Sequence, residues 1–233
     1  MVAMPAVSTT FRALALSVIA SLSVTGCQAL DDAGQAIGRS DLVNDFAARL
    51  DRALELTYSA EYQLPGGRTA TIAQAQDPAR SAYTWPGGKL TVTVDATTRC
   101  ETGTAKAVCT LLAPPPPNAR PSVELFTEAK RRGLITPPVV VGLLTEAVLD
   151  PQAVIEQTDT TLAGHHAACV DVKRAAGDFT ACVTNEGVLG SFAGELDGNT
   201  MELALNRYTD TVDGASFELP AGAGVVDRRS ASS

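Results

Sequence analysis

The side chains best suited to chemistry in this 233-residue sequence are five cysteines and two adjacent histidines. A cysteine thiol can accept an acyl-type modification, form a disulfide or bind a metal, and a neutral imidazole is a common metal ligand. The cysteines comprise one near the N-terminus, Cys27, and two closely spaced pairs, Cys100 with Cys109 and Cys169 with Cys182. Each of the three groups therefore has to be considered in its own sequence context.

Cys27 comes directly after a segment that is built like a secretory signal peptide. Residues 1–26 carry one charged side chain, Arg12, followed by an apolar run over residues 13–24 and then small residues. This run is shorter than the ~20 residues that a membrane-spanning helix needs. The segment Val24-Thr25-Gly26-Cys27 resembles the lipobox of bacterial lipoproteins. The resemblance implies cleavage before Cys27, a diacylglycerol on its thiol, and anchoring at the extracytoplasmic face of the cell membrane, with residues 27–39 as a tether. The alternative is an ordinary signal peptide followed by an unrelated cysteine.

The other four cysteines predict two disulfides, because they are even in number and belong to an exported chain. Cys169 and Cys182 fall opposite each other around a four-residue turn at residues 174–177, and Cys100 and Cys109 do so around residues 103–106. Four cysteines allow three pairings, and this hairpin register favours Cys100–Cys109 and Cys169–Cys182. A zinc site would require a Cys-x-x-Cys spacing, which the sequence lacks.

No motif predicts catalysis. Residues 190–194 contain two glycines and Ser191, but not at the spacing of a nucleophile elbow, and the sequence has no phosphate-binding loop or dinucleotide fingerprint. Neighbours in a strand point to opposite faces, so His165 and His166 are poorly placed to share a metal there, although in a turn they could share one with a carboxylate. We therefore expect no enzyme activity, no metal site and no cofactor.

The negative charge of the chain disfavours two classes of binding partner. The sequence has 18 basic and 26 acidic residues, a net charge of −8, and loss of Arg12 with the signal peptide leaves 17 basic residues and a net charge of −9. An acidic chain argues against nucleic acid as a partner and against electrostatic docking to anionic lipid headgroups. Anchoring would then depend on the covalent lipid.

Periodicity predicts one α+β domain over residues 40–226 and a disordered tail over residues 227–233. A helix with Ser40 as its N-cap comes first, followed by strand-like alternation over residues 58–112. After the prolines of Pro114–Pro117 come two helices and then strands over residues 154–208. About ten or eleven strands exceed what one flat sheet readily holds. We therefore expect a curled antiparallel sheet, an unclosed half-barrel with helices covering its concave side.

The second of the two later helices is apolar on nearly every side, so most of its surface must be covered. It could be an ordinary core helix, or it could enclose an apolar ligand against the facing strands. The second interpretation predicts a cavity lined by Val139, Val140, Leu143, Leu144, Val92, Val94, Leu203 and Leu205.

Four local phrases accompany this order of elements: Tyr58–Tyr62, the Trp85 strand with its Gly87-Gly88 turn, Gly187–Leu189, and Phe217–Gly222. Together they resemble the LolA/LprG-like superfamily of bacterial lipoprotein carriers over about residues 40–226. The resemblance implies an unclosed half-barrel plugged by helices, with lipids or lipidated proteins carried in the apolar space between sheet and helices. The resemblance does not imply any polar site residue in this sequence, because such carriers bind their ligands through apolar side chains.

The sequence thus predicts a membrane-anchored lipoprotein that carries a lipid or acyl chain. The alternative is a non-catalytic envelope sensor or docking protein with the same fold, a filled core and a protein partner.

We expect Cys27→Ala to release the protein from the membrane fraction. The covalent lipid would hold the protein, since each buried CH₂ contributes roughly 0.8 kcal/mol and two chains anchor stably. Fractionation followed by a salt wash measures this. A variant that stays with the membrane would show the lipobox interpretation to be wrong.

Overall fold

The computed structural model describes residues 38–116 and 122–229. The predicted signal peptide, Cys27 and nearly all of the predicted tether lie outside these ranges, as do Pro117 and residues 230–233 of the predicted tail. The chain divides into two units, residues 1–41 and 42–233. Of the first unit only residues 38–41 are described, and they are helical. No helix in the described ranges combines the length and apolarity needed to cross a membrane.

The helices of the described chain occur in the predicted order. They are α1 at residues 38–52 with a 3-10 turn at Ala53–Glu55, α2 at Thr127–Arg131 after a 3-10 turn at Val123–Phe126, and α3 at Pro137–Leu149. Pro137 and Pro138 open α3, because their fixed φ and missing N–H suit a first turn. The prediction of Ser40 as the N-cap of α1 is wrong, since residues 38–40 are already helical.

Twelve strands form a single sheet. They are β1 Tyr58–Leu64, β2 Arg68–Gln76, β3 Ala79–Trp85, β4 Gly88–Val92, β5 Thr97–Glu101, β6 Val108–Leu112, β7 Val154–Leu162, β8 His165–Lys173, β9 Phe179–Thr184, β10 Leu189–Leu196, β11 Asn199–Thr209 and β12 Gly224–Asp227. The order across the sheet is β12-β6-β5-β4-β3-β2-β1-β11-β10-β9-β8-β7. Two antiparallel meanders, β1 to β6 and β7 to β11, therefore join through β1 and β11.

The sheet is curled and open, which confirms the predicted unclosed half-barrel of the α+β class. Its two end strands, β7 and β12, do not pair with each other. Cα atoms of β7 nevertheless come within 8 Å of β11, four places away in the sheet order. Four strand spacings in a flat sheet would span about 19 Å. The structure has one strand more than the upper predicted count, because β12 adds to β6 in parallel after the last predicted strand.

Both predicted disulfides are present. Cys100–Cys109 joins β5 to β6, and Cys169–Cys182 joins β8 to β9. In each case the two cysteines are direct partners in the strand register. The hairpin register that predicted these bonds is therefore confirmed.

The helices and one face of the sheet share a single apolar core. Its fully buried residues include Phe46 and Leu50 of α1, Val140 and Leu144 of α3, and strand residues such as Tyr62 and Phe192. The buried side of helix α3 therefore belongs to the same apolar core as the inner face of the sheet.

Two glutamines of β2 hold the C-terminal end of α1. Gln74 is only 5% exposed, and its Nε2 donates hydrogen bonds to the carbonyls of Ala53 (3.1 Å) and Leu54. Gln76 Nε2 donates to the carbonyls of Leu54 (2.8 Å) and Leu56 (2.9 Å). The last carbonyls of a helix lack their usual i+4 partners. The carbonyl of Ala53 also accepts from the amide of Leu56, and the two glutamine amides tie this end of the helix to β2.

We expect Gln74→Ala to lower the free energy of unfolding by about 1–3 kcal/mol, because it removes a buried amide whose two hydrogen bonds join β2 to the end of α1. The control is Gln63→Ala in β1, whose exposed amide bonds only the nearby carbonyls of Leu64 and Arg68 and should matter by less than about 0.5 kcal/mol. Urea unfolding measures both. Equal losses would contradict the special role of Gln74.

Candidate functional site: an apolar groove beside helix α3

A surface groove of about 360 Å³ lies between α1, the chain at residues 122–123 and the first half of α3. Seven of its nine lining residues are apolar or glycine. The lining consists of Leu50, Leu54, Val123, Pro137, Pro138, Val141 and Gly142, with Asp51 and Ser122 as its polar members.

Helical spacing explains how both long walls form. Leu50 and Leu54 are four residues apart, so they fall on one side of the end of α1. Pro138 is three and four residues from Val141 and Gly142, which places these residues on one side of α3. Val140 and Leu144 occupy a different side of α3 and are completely buried in the core. The apolar residues in the first half of α3 thus divide between the core and the groove.

The N-terminus of α3 gives the groove unusual electrostatics. A helix N-terminus commonly attracts anions because its first N–H groups are free. Here Pro137 and Pro138 have no N–H, and the amides of Val139 and Val140 donate to the carbonyl of Thr136 at 2.9 and 3.2 Å. The one charged residue in the lining is the acidic Asp51. The groove therefore suits an apolar group and does not favour an anion.

None of the eight residues predicted to line a ligand cavity lies on this groove. Two of them, Val92 and Leu143, are partly buried and pack against the core. Five are buried in the core itself, namely Val139, Val140, Leu144, Leu203 and Leu205.

The placement of the eighth, Val94, in an enclosed cavity is wrong, since this side chain is 65% exposed. Strand β4 ends at Val92. After it Thr93 Oγ1 accepts hydrogen bonds from the amides of Asp95 and Ala96, so Val94 lies in a turn and not in a strand of the sheet.

The residues that do line the groove carried only a partial signal in the sequence. Leu50 and Leu54 were recognisable as part of an apolar helical stripe, and the apolar surface of α3 was recognisable as needing cover. The glycine at position 142 was a further signal of the groove that the sequence analysis did not use. A Cβ added there would have no neighbour nearer than Val123 Cγ2 at 3.9 Å, so the glycine keeps the groove open at this point.

His165, the first of the two histidines, makes local side-chain contacts. His165 Nδ1 lies 3.0 Å from Glu186 Oε1, and its ring packs edge-on against Tyr208 with a centroid distance of 5.2 Å. Partial burial by itself raises the pKa of Glu186. The hydrogen bond from His165 and other local hydrogen bonds have the larger combined effect, so the pKa of Glu186 lies below its usual value. Across the two described ranges, no group of three or more metal-ligating side chains comes together.

Comparisons with known proteins give distant likenesses only. No family model and no curated protein matches the chain. Among solved structures it is similar to an uncharacterized conserved protein from Thermus thermophilus, at 11% identity and a TM-score of 0.46, covering 79% of this chain and 98% of that one. It is also similar to MucB, at 11% identity and a TM-score of 0.46, covering 79% of this chain and 65% of that one. A structure of MucB in complex with MucA(peri) matches at 12% identity and a TM-score of 0.42, covering 79% of this chain and 62% of that one. TM-scores below 0.5 carry no argument about function, which has to be reasoned from the site itself.

Adjacent residues of α3 allow a matched test of the division between core and groove. We expect Val140→Trp to overpack the core and lower the free energy of unfolding by roughly 1–3 kcal/mol or more. In Val141→Trp the new side chain should extend into the groove, and the free energy of unfolding should change by less than about 1 kcal/mol. Thermal and urea unfolding measure both variants. Similar losses at the two positions would show that the groove is not open space.

Proposed function

We propose that this protein is a lipid-anchored binding protein at the extracytoplasmic face of the cell membrane, and that its groove holds an acyl chain of a lipid. The observation that carries the proposal is the apolar lining of the groove. Its volume of about 360 Å³ is near the lower end of the ~300–1,000 Å³ range of small-molecule sites. A groove of this size suits part of one acyl chain better than a lipid with several enclosed chains.

The shortage of hydrogen-bond donors supports an acyl chain over a polypeptide in the groove. An extended peptide presents an N–H and a C=O at almost every residue, and burying these groups without partners is unfavourable. Pro137 and Pro138 cannot donate to such carbonyls, and the next two amides of α3 are already bonded to Thr136. A hydrocarbon chain makes no such demand.

The same features favour a ligand whose polar end is uncharged. A free carboxylate would meet the acidic Asp51 and find no helix N-terminal donors to stabilise it. An ester or an alcohol at the end of the chain avoids both penalties. The proposed ligand class is therefore an acyl chain in a neutral lipid.

Membership of the LolA/LprG-like carrier superfamily is part of this proposal. The open sheet with helices over one face supports it. The proposed binding site differs from the cavity that the resemblance implies, because the groove lies beside α3 and the space between α3 and the sheet holds packed side chains.

The filled core favours a second candidate, a non-catalytic docking protein. Val140 and Leu144, which face the core from α3, have no exposed surface. A protein with this interior could use its groove for apolar side chains of a partner. Co-purification of lipid with the exported protein distinguishes the two candidates.

We expect monopalmitoylglycerol to displace the neutral dye Nile red from the exported Cys27→Ala protein, and palmitate at pH 8 to displace it more weakly. Val141→Trp should weaken monopalmitoylglycerol binding at least about tenfold, equivalent to ~1.4 kcal/mol, because the indole fills the groove. The control is Leu149→Trp on the same helix, where the side chain is 78% exposed. Native mass spectrometry of the untreated protein provides the second measurement.

Two results would contradict acyl-chain binding: no bound lipid in either assay, or binding that Val141→Trp leaves unchanged. Preferential binding of palmitate would leave the groove as a lipid site but overturn the neutral class of ligand.

A further inference from the structure

Strand β7 is long for an element with so little buried surface. It runs over Val154–Leu162 and pairs with β8 at all nine positions without a bulge. Ile155 is its one buried residue, and the residues from Glu156 to Thr161 are all exposed. The strand at the opposite end of the sheet, β12, has only four residues. Core packing therefore does not explain the length and regularity of β7.

The outer edge of β7 makes no backbone pairing within the described chain, although the curl of the sheet brings Cα atoms of this strand within 8 Å of β11. The strand is the last in the sheet order, and no backbone hydrogen bond of the described residues joins its outer side to another segment. An edge strand presents a row of N–H and C=O groups to which another strand can pair. Natural edges are often protected by proline, by a bulge or by charged side chains, especially lysine. β7 has no proline, lysine or bulge, and its two charged residues, Glu156 and Asp159, are both acidic.

Acidic side chains on and beside this edge indicate the charge of its partner. Glu156 lies directly opposite Asp171 of β8, and like charges in this position destabilise strand pairing. Asp171 accepts hydrogen bonds from the hydroxyls of Thr180 (2.5 Å) and Thr158 (3.4 Å). No ion pair in the described ranges includes Glu156, Asp159 or Asp171. An incoming positive charge would relieve this repulsion.

We propose that β7 is a docking edge for an extended segment of a partner protein that carries lysine or arginine. The segment would add to the sheet as a thirteenth strand, with backbone hydrogen bonds supplying affinity and the acidic residues selecting its charge. Pairing of β7 with a second copy of this chain is disfavoured, because it brings two acidic edges together. This inference goes beyond the proposed acyl-chain binding and does not depend on it.

The test uses a fluorescent nine-residue peptide of alternating lysine and threonine, together with the matched glutamate–threonine peptide. We expect the lysine peptide to slow hydrogen exchange at alternate amides of β7 and to bind more weakly as salt is raised. The glutamate peptide should do neither. Fluorescence anisotropy supplies the affinities.

Glu156→Lys should weaken binding of the lysine peptide at least about tenfold, or ~1.4 kcal/mol. The matched control is Glu202→Lys on β11, which makes the same charge change at an exposed position in the middle of the sheet and should retain binding. Equal effects of the two variants, equal protection by both peptides, or no protection of β7 would overturn the proposal. Sedimentation showing a dimer that Thr158→Pro abolishes would assign the edge to a second copy and overturn it as well.

Discussion

The structure depends on covering one apolar face of a sheet that does not close. Strands such as β1 and β10 place Tyr62 and Phe192 on this face, where only packing against helices removes them from water. Helix α3 meets the requirement with Val140 and Leu144. A helix is round, however, and a single sheet can contact only part of its surface. The remaining apolar side of α3, with Val141, therefore faces α1 across a groove.

The groove keeps its shape because its walls are held from outside it. Gln74 and Gln76 fix the end of α1 that carries Leu50 and Leu54. On another side of α1, Gly187 approaches so closely that an added Cβ would lie 2.5 Å from the carbonyl oxygen of Arg49. These contacts place α1 by hydrogen bonding and close backbone approach, on sides of the helix that do not line the groove. The prolines that start α3 then remove the donors that would make the groove polar.

The open sheet also separates two kinds of surface. The groove is apolar and poor in donors, whereas β7 at the sheet edge is polar and acidic, and the backbone groups on its outer side have no partner among residues 38–116 and 122–229. A hydrocarbon chain suits the groove, and a basic extended segment suits the edge of β7. The two surfaces therefore do not compete for one ligand. Both follow from incomplete closure: a closed sheet would have no edge.

Much of the fold could be predicted from the sequence, because its signals are local. Alternation predicted Tyr58–Leu64, and turn spacing paired the cysteines, since residues on either side of a short turn are held together by the chain itself. The groove could not be predicted in this way. Nearly every side of α3 is apolar, so its sequence does not say which apolar side meets the sheet. That choice depends on contacts between residues far apart in the chain, as do the parallel pairing of β12 with β6 and the position of α1. Tertiary packing alone therefore assigned Val140 to the core and Val141 to the groove.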